Sequence, residues 1–210
     1  MTNLKFALAG ATMLTAVAAT TASADILNKD IFDETATIAE NAQATSSFQT
    51  LVTAAQAAGL VDDLMGEGPF TVFAPTDDAF AALPEGAVED LLMPENRDML
   101  VDLLQAHIVP VRIEANDINA AFVGADNLSD TDAGAADLTL VEGEDIILAD
   151  TLSNKSDLAI EKVGGSLYAY SVDENLNDDF VRGDIRIVGT DIFSSNGVIH
   201  IIDGVLMPQS

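Results

Sequence analysis

From Ser46 to Pro110 the apolar residues return mainly at helical spacing, and from about Leu138 onward they gather in short strand-like runs divided by turn residues. Helices first and strands afterwards is the order of an α+β chain. In the first half, Phe48, Leu51, Val52 and Ala55 mark an amphipathic helix that Gly59 stops. Ser46 and Gln49 are spaced as a capping box for its start. Phe70 to Phe73 follows a Gly-rich break and reads as a short strand. Thr76 then offers a capping hydroxyl, with Asp77 and Asp78 at the positive end of a new helix. Adjacent helical positions do not face one another, so the two aspartates read as helix-start electrostatics and not as a catalytic pair. Pro84 to Met93 reads as a short helix, and Pro94 opens the next. There Leu100, Leu103, Leu104 and His107 share one face, which puts His107 on the buried side before Pro110 ends the helix.

In the second half, Leu138 to Val141 and Ile146 to Ala149 predict a hairpin, and Ala159 to Val163 with Leu167 to Val172 predict another through Gly164 and Gly165. Ile185 to Val188 and Val198 to Ile202 are further strands, the last entered through Asn196 and Gly197, residues that tolerate positive φ. No internal repeat and no long low-complexity linker interrupts the chain.

Where such a chain works is read from its first residues. Lys5, an apolar run from Phe6 through Val17 and the small residues Ala22, Ser23 and Ala24 have the order of a secretory signal peptide, residues 1–24. The run is short for a bilayer span, and no second long apolar stretch follows, so no membrane insertion is expected after its removal. The remaining 186 residues, 25–210, carry seven basic against 35 acidic side chains, a net charge of −28. That length fits one domain. That field repels nucleic acid and anionic membranes and suits a solvated surface. There is no cysteine, so neither a disulfide nor a lipidated cysteine anchor is available, and stability has to come from an apolar core. The expected destination is the periplasm or the external medium.

Three segments together resemble the fasciclin-type adhesion domain: FTVFAPTDDAF from Phe70 to Phe80 with Leu83 and Pro84 behind it, LLQAHIVP from Leu103 to Pro110, and DIFSSNGVIHIIDGVLMP from Asp191 to Pro208. The motif positions are Thr71, Phe73, Pro75, Thr76, Asp77, Phe80, His107, Asn196, Gly197, His200 and Asp203. The resemblance brackets the chain from about Ile31 to Pro208. It implies a fasciclin-like β-wedge or sandwich with helices packed on the N-terminal half, in a secreted or surface protein that mediates adhesion. It also implies possible partner contact through Asp191 and Ile192, a pair that otherwise reads as a turn aspartate beside a buried isoleucine. The chain departs from the pattern where a tyrosine usually precedes the second-motif histidine and Ala106 stands instead. The stretch from Gly124 to Asp179 is longer than the family's usual link.

His107 and His200 are the only imidazoles, and without cysteine or a second local histidine they read as hydrogen-bonded core residues and not as ligands or bases. Asp173, Asn175, Asn177 and Asp184 imitate a calcium loop. Asp178 stands where its sharp turn needs glycine, and position twelve lacks glutamate, so the site is weak and no cofactor is expected. Arg182, Gly183 and Asp184 form a short tripeptide that recurs by chance. No nucleophile elbow, phosphate loop or zinc signature occurs, so the chain is not expected to be an enzyme. The leading expectation is a monomeric, non-catalytic domain contacting protein or carbohydrate surfaces. The alternatives are a carrier of a small apolar ligand, with the segment from Gly124 to Asp179 as a lid, and a calcium-assisted binding protein.

Overall fold

The computed structural model of the protein describes residues 32–122, 138–141, 146–153, 155–172 and 185–207. Helices α1 (Ile38–Ala44), α2 (Gln49–Ala58) and α3 (Val61–Leu64) lead into strand β1 (Phe70–Pro75). Helices α4 (Asp77–Ala81), α5 (Ala87–Leu91) and α6 (Arg97–Gln105), strand β2 (Ile108–Val109) and helix α7 (Ala115–Phe122) complete the first half. Six strands follow: β3 (Thr139–Leu140), β4 (Ile146–Ala149), β5 (Asp157–Val163), β6 (Ser166–Val172), β7 (Ile187–Ser194) and β8 (Gly197–Ile202).

The described strands form two four-stranded sheets, one ordered β2-β1-β8-β7 and the other β3-β4-β5-β6. In the first, β1 lies parallel to β8, so the first and last strands of the fold are neighbours, with Phe73 opposite His200. The second is an antiparallel meander of chain-consecutive strands. Its β5–β6 turn is made by Gly164 (φ 59°) and Gly165 (φ 89°), the two left-handed residues that a tight hairpin turn requires. The sheets are linked where Ala169 N–H donates to Ile185 O at 2.8 Å.

Strand β1 is buried on both faces because its two faces serve different cores. Val72 and Ala74 pack with Phe48, Leu51, Leu103, Leu104, Ile199 and Ile201 under the helices. Phe73 packs with Ile202, Ile113, Ile118, Ile147, Leu158 and Ile160 between the sheets. A strand sandwiched this way reads as a continuous apolar run, and removing the fully buried Phe73 ring from water is worth roughly 2–3 kcal/mol.

Three expectations need correction. The segment predicted as a lid contains β3 to β6, and Ile147, Leu158, Ile160 and Ala169 of those strands are fully buried in the inter-sheet core. Half of the sandwich therefore comes from it. Ser46 does not cap α2; it sits in a 3-10 turn, Ser46–Phe48, with no side-chain capping bond before the helix. A complete capping box instead starts α1, where Thr37 and Glu40 satisfy each other's backbone N–H groups. Finally, α6 ends at Gln105, short of Pro110, and His107 lies just beyond it.

Candidate functional site

The three motifs meet around β1 and β8, and their polar side chains are engaged within the domain. Thr71 Oγ1 donates to Val111 O at 2.6 Å and accepts from Ile113 N–H at 2.8 Å, which clamps the chain after β2 against β1. Thr76 accepts from Ala79 N–H at 3.2 Å as the cap of α4. Asp77 begins α4 as expected, but its carboxylate also accepts from Thr50 N–H at 2.7 Å and Gln49 N–H at 3.3 Å. The first turn of α2 is thus capped by a charged group 27 residues away, a stronger acceptor than the serine hydroxyl. Pro75 ends β1, and Phe80 is buried under the helices.

The two histidines are core residues of opposite tautomer, as their partners assign. His107 Nδ1–H donates to Leu103 O at 2.8 Å, and Nε2 accepts from Leu206 N–H at 3.0 Å. Burial pushes its pKa down to about 4, against the smaller opposing effect of the Leu103 carbonyl. His200 donates from Nε2–H to Ile113 O at 2.9 Å, and its Nδ1 accepts from Asp191 N–H at 3.4 Å. Burial lowers its pKa too, opposed by the Ile113 carbonyl and the charges of Asp191 and Glu114. The ring lies 5.2 Å from that of Phe73. Neither nitrogen of either ring is left for a ligand. Ala106, in the place of the family tyrosine, is itself buried.

In the third motif, Asn196 joins four segments. Its Oδ1 accepts from Ile38 N–H at 2.9 Å, its Nδ2 donates to Leu64 O at 2.8 Å and Gly66 O at 2.9 Å, and its carbonyl accepts from Phe70 N–H at 3.0 Å. Neither Asn196 nor Gly197 has positive φ, contrary to the expectation. Glycine is required at 197 for close approach, since a Cβ there would stand 1.9 Å from Phe70 O. Asp203 accepts from Arg186 N–H at 2.7 Å and ties the end of β8 to the start of β7.

Asp191 and Ile192 fall within β7 and not in a turn. Asp191 adopts φ 57° at an irregularity in the β7–β8 register, and its Oδ1 accepts from Ala115 N–H at 2.8 Å at the start of α7. Asp191 is half-buried, whereas Ile192 is buried in the helix-side core. The calcium candidates Asp173, Asn175, Asn177 and Asp184, and the tripeptide Arg182 to Asp184, lie outside the described residues. Among the described residues no group of three or more His, Cys, Asp or Glu side chains is placed to hold a metal ion.

Two concavities adjoin these motifs. An apolar cleft of about 40 Å³ runs among α1, α2 and α3 above β1. A larger surface groove of about 470 Å³ is bounded by Thr37, the 65–69 loop, Arg112 and the turn from Ser195 to Gly197. Beside it Arg112 Nε donates to Glu114 Oε1 at 3.0 Å, and its guanidinium lies 5.0 Å from the centre of the Phe193 ring. Sequence reading missed Arg112, which carries no motif and shows no local pattern. The Thr37-to-Glu40 capping box was missed as well, although its Thr-x-x-Glu spacing stands in the sequence.

The fasciclin domain family model matches residues 46–208. "Protein sll1483" of Synechocystis is 36% identical over 204 residues, covering 97% of this chain and 91% of that protein. "Transforming growth factor-beta-induced protein ig-h3" of Sus scrofa is 29% identical over 163 residues, 78% of this chain and 18% of that protein. Among solved structures, the FAS1 domain pair from the insect cell adhesion molecule fasciclin I superposes with a TM-score of 0.57 at 15% identity, covering 81% of this chain and 50% of that one, a likeness of fold. With its three motifs closing on β1 and β8 and the family model spanning most of its length, the chain belongs to the fasciclin domain family.

Proposed function

We propose that this protein is an exported, monomeric, non-catalytic domain that binds protein or carbohydrate surfaces by shape and polar contact. The observation that carries the reading is that the hydrogen-bonding side chains at the motif positions are spent on the domain's own backbone. His107, His200, Asn196 and Thr71 each hold two or more backbone groups of the domain. Such residues stabilise a surface and do not react at it, because a general base needs a free nitrogen or carboxylate within reach of substrate. The fold likeness to a cell adhesion molecule supports the same reading. The 40 Å³ apolar cleft lends no support to the carrier alternative, since ligand pockets are typically about 300 Å³ or larger.

The test is retention of the mature chain on immobilised envelope material, glycans and matrix proteins. Selective retention on one class is expected, and washing through every surface of a broad panel at physiological salt would sink the reading.

A further inference from the structure

We infer that the groove between Arg112 and the 65–69 loop is a binding site for a carboxylated saccharide, a uronate residue. The inference rests on the proposed surface-binding function and names a ligand for it. The groove measures about 470 Å³, room for one or two sugar rings, and falls within the usual range of roughly 300–1,000 Å³ for small-molecule sites.

Its walls are pre-formed. The Asn196 amide holds Leu64 and Gly66, and a Cβ on Gly68 would stand 2.0 Å from Asn196 O, so the loop lies against the β7–β8 turn with no slack. Arg112 is held by Glu114 through Nε and lies against Phe193, which leaves its two Nη atoms without a protein acceptor among the described residues. The Asn196 amide is fully used within the domain, and Thr37 Oγ1 donates to Glu40. The N–H groups of Glu67 and Gly68 find no acceptor among the described residues. The groups left to a ligand are the Arg112 guanidinium edge together with backbone N–H and C=O groups of the 65–69 loop, and a carboxylate is the acceptor that the guanidinium edge matches best.

Electrostatics sharpens the choice. On a chain of net charge −27 before signal removal, an anion is repelled from most of the surface, and the Arg112 side chain, 34% exposed, is a local foothold. The mixed polar lining offers hydroxyl-bearing rings partners on both sides, and no deep apolar pocket selects a peptide side chain.

The experiment titrates the mature protein with a galacturonate trisaccharide at two salt concentrations, reading affinity by calorimetry and location by amide NMR shifts. Shifts at Glu67, Gly68 and Asn196 are expected. Arg112→Gln should weaken binding about tenfold, the loss of one charge-assisted contact. Glu67→Gln, which removes the acid at the rim, should strengthen binding severalfold. The methyl-esterified trisaccharide should bind at least about tenfold more weakly. Equal affinity for ester and acid, an unchanged Arg112→Gln, or tighter groove binding of an acidic peptide than of the uronate would overturn the inference. Arg112 is partly exposed, so the variant is expected to fold, which unchanged thermal unfolding verifies. Loss of uronate binding in Arg112→Gln with surface retention unaltered would leave the general function standing and locate retention elsewhere. Absence of uronate binding to the wild type together with full retention would sink this site alone.

Discussion

The two sheets are built from similar residues and held together differently. In the β3-β4-β5-β6 sheet, neighbours in space are neighbours in the chain, and a two-residue turn at Gly164 and Gly165 closes the β5–β6 pair. In the β2-β1-β8-β7 sheet, β1 and β8 come from opposite ends of the chain, and side chains bond to backbone across long separations: Asn196 to Ile38 spans 158 residues and Leu206 to His107 spans 99. One sheet is a product of local pairing, the other of closure. The comparison teaches why the family motifs crowd into the second kind: a non-local pairing has a loop-closure cost that local turns largely avoid, and dedicated residues must offset it.

The sharpest way to break this contrast is a matched pair of glycine substitutions. Gly197→Ala, at the closure, puts a methyl against the Phe70 carbonyl and should cost at least about 3 kcal/mol. Gly164→Ala, in the local hairpin, meets open space but a left-handed φ of 59°, and should cost about 1 kcal/mol. Urea unfolding of both variants checks this, and equal costs would erase the distinction between the sheets.

Acid should act through the closure sheet, because the protein's two histidines are both tied to it. Each is held neutral in the fold, with its pKa below the unfolded value. Both states are neutral above about pH 6.5, so stability is full there. As pH falls, the unfolded chain takes up protons that the folded chain refuses. Stability therefore declines from about pH 6.5 towards pH 4, by up to about 3 kcal/mol for His107. The difference between wild type and His107→Gln across that window isolates this contribution from the carboxylates. A constant difference from pH 7 to 4.5 would refute it.

Asp77 offers a smaller test. Asp77→Ala removes the cap on α2 and should cost about 1–2 kcal/mol, while Asp78→Ala, whose side chain makes no such bond among the described residues, should cost less than about 0.5 kcal/mol. Thermal unfolding compares them, and equal shifts would return Asp77 to a purely local role. The smallest effect is expected at the pair of Lys155 and Asp102, which joins the loop after β4 to α6. Its lysine is 59% exposed, so Lys155→Ala should change stability by less than about 0.5 kcal/mol and lose even that at high salt, as chemical denaturation at two ionic strengths would reveal.

Much of the fold was legible beforehand where the signal is short-ranged. Leu51 and Ala55 announce α2, Gly164 and Gly165 announce the β5–β6 turn, and the apolar residues from Val198 to Ile202 announce the last strand. Misreadings cluster where a nearby residue had a distant competitor. Ser46 has a capping box's spacing, yet Asp77 supplies the acceptors; Asn196 and Gly197 look like a positive-φ turn, yet one is a four-way junction and the other a point of backbone contact. The hairpins between the second and third motifs were legible, but the carrier alternative made a lid of a stretch whose strands form half of the sandwich.

By itself, then, the sequence determined the α+β order, the hairpins, the apolar faces and the family, since each is written in spacings of a few residues that local backbone geometry converts directly into helix or strand. Tertiary structure alone decided which carboxylate caps which helix, which nitrogen of each histidine holds the proton, and which residues border the groove beside Arg112. Those facts depend on groups up to 158 residues apart arriving within 3 Å of one another, and that meeting is set by how both cores close around β1 and β8.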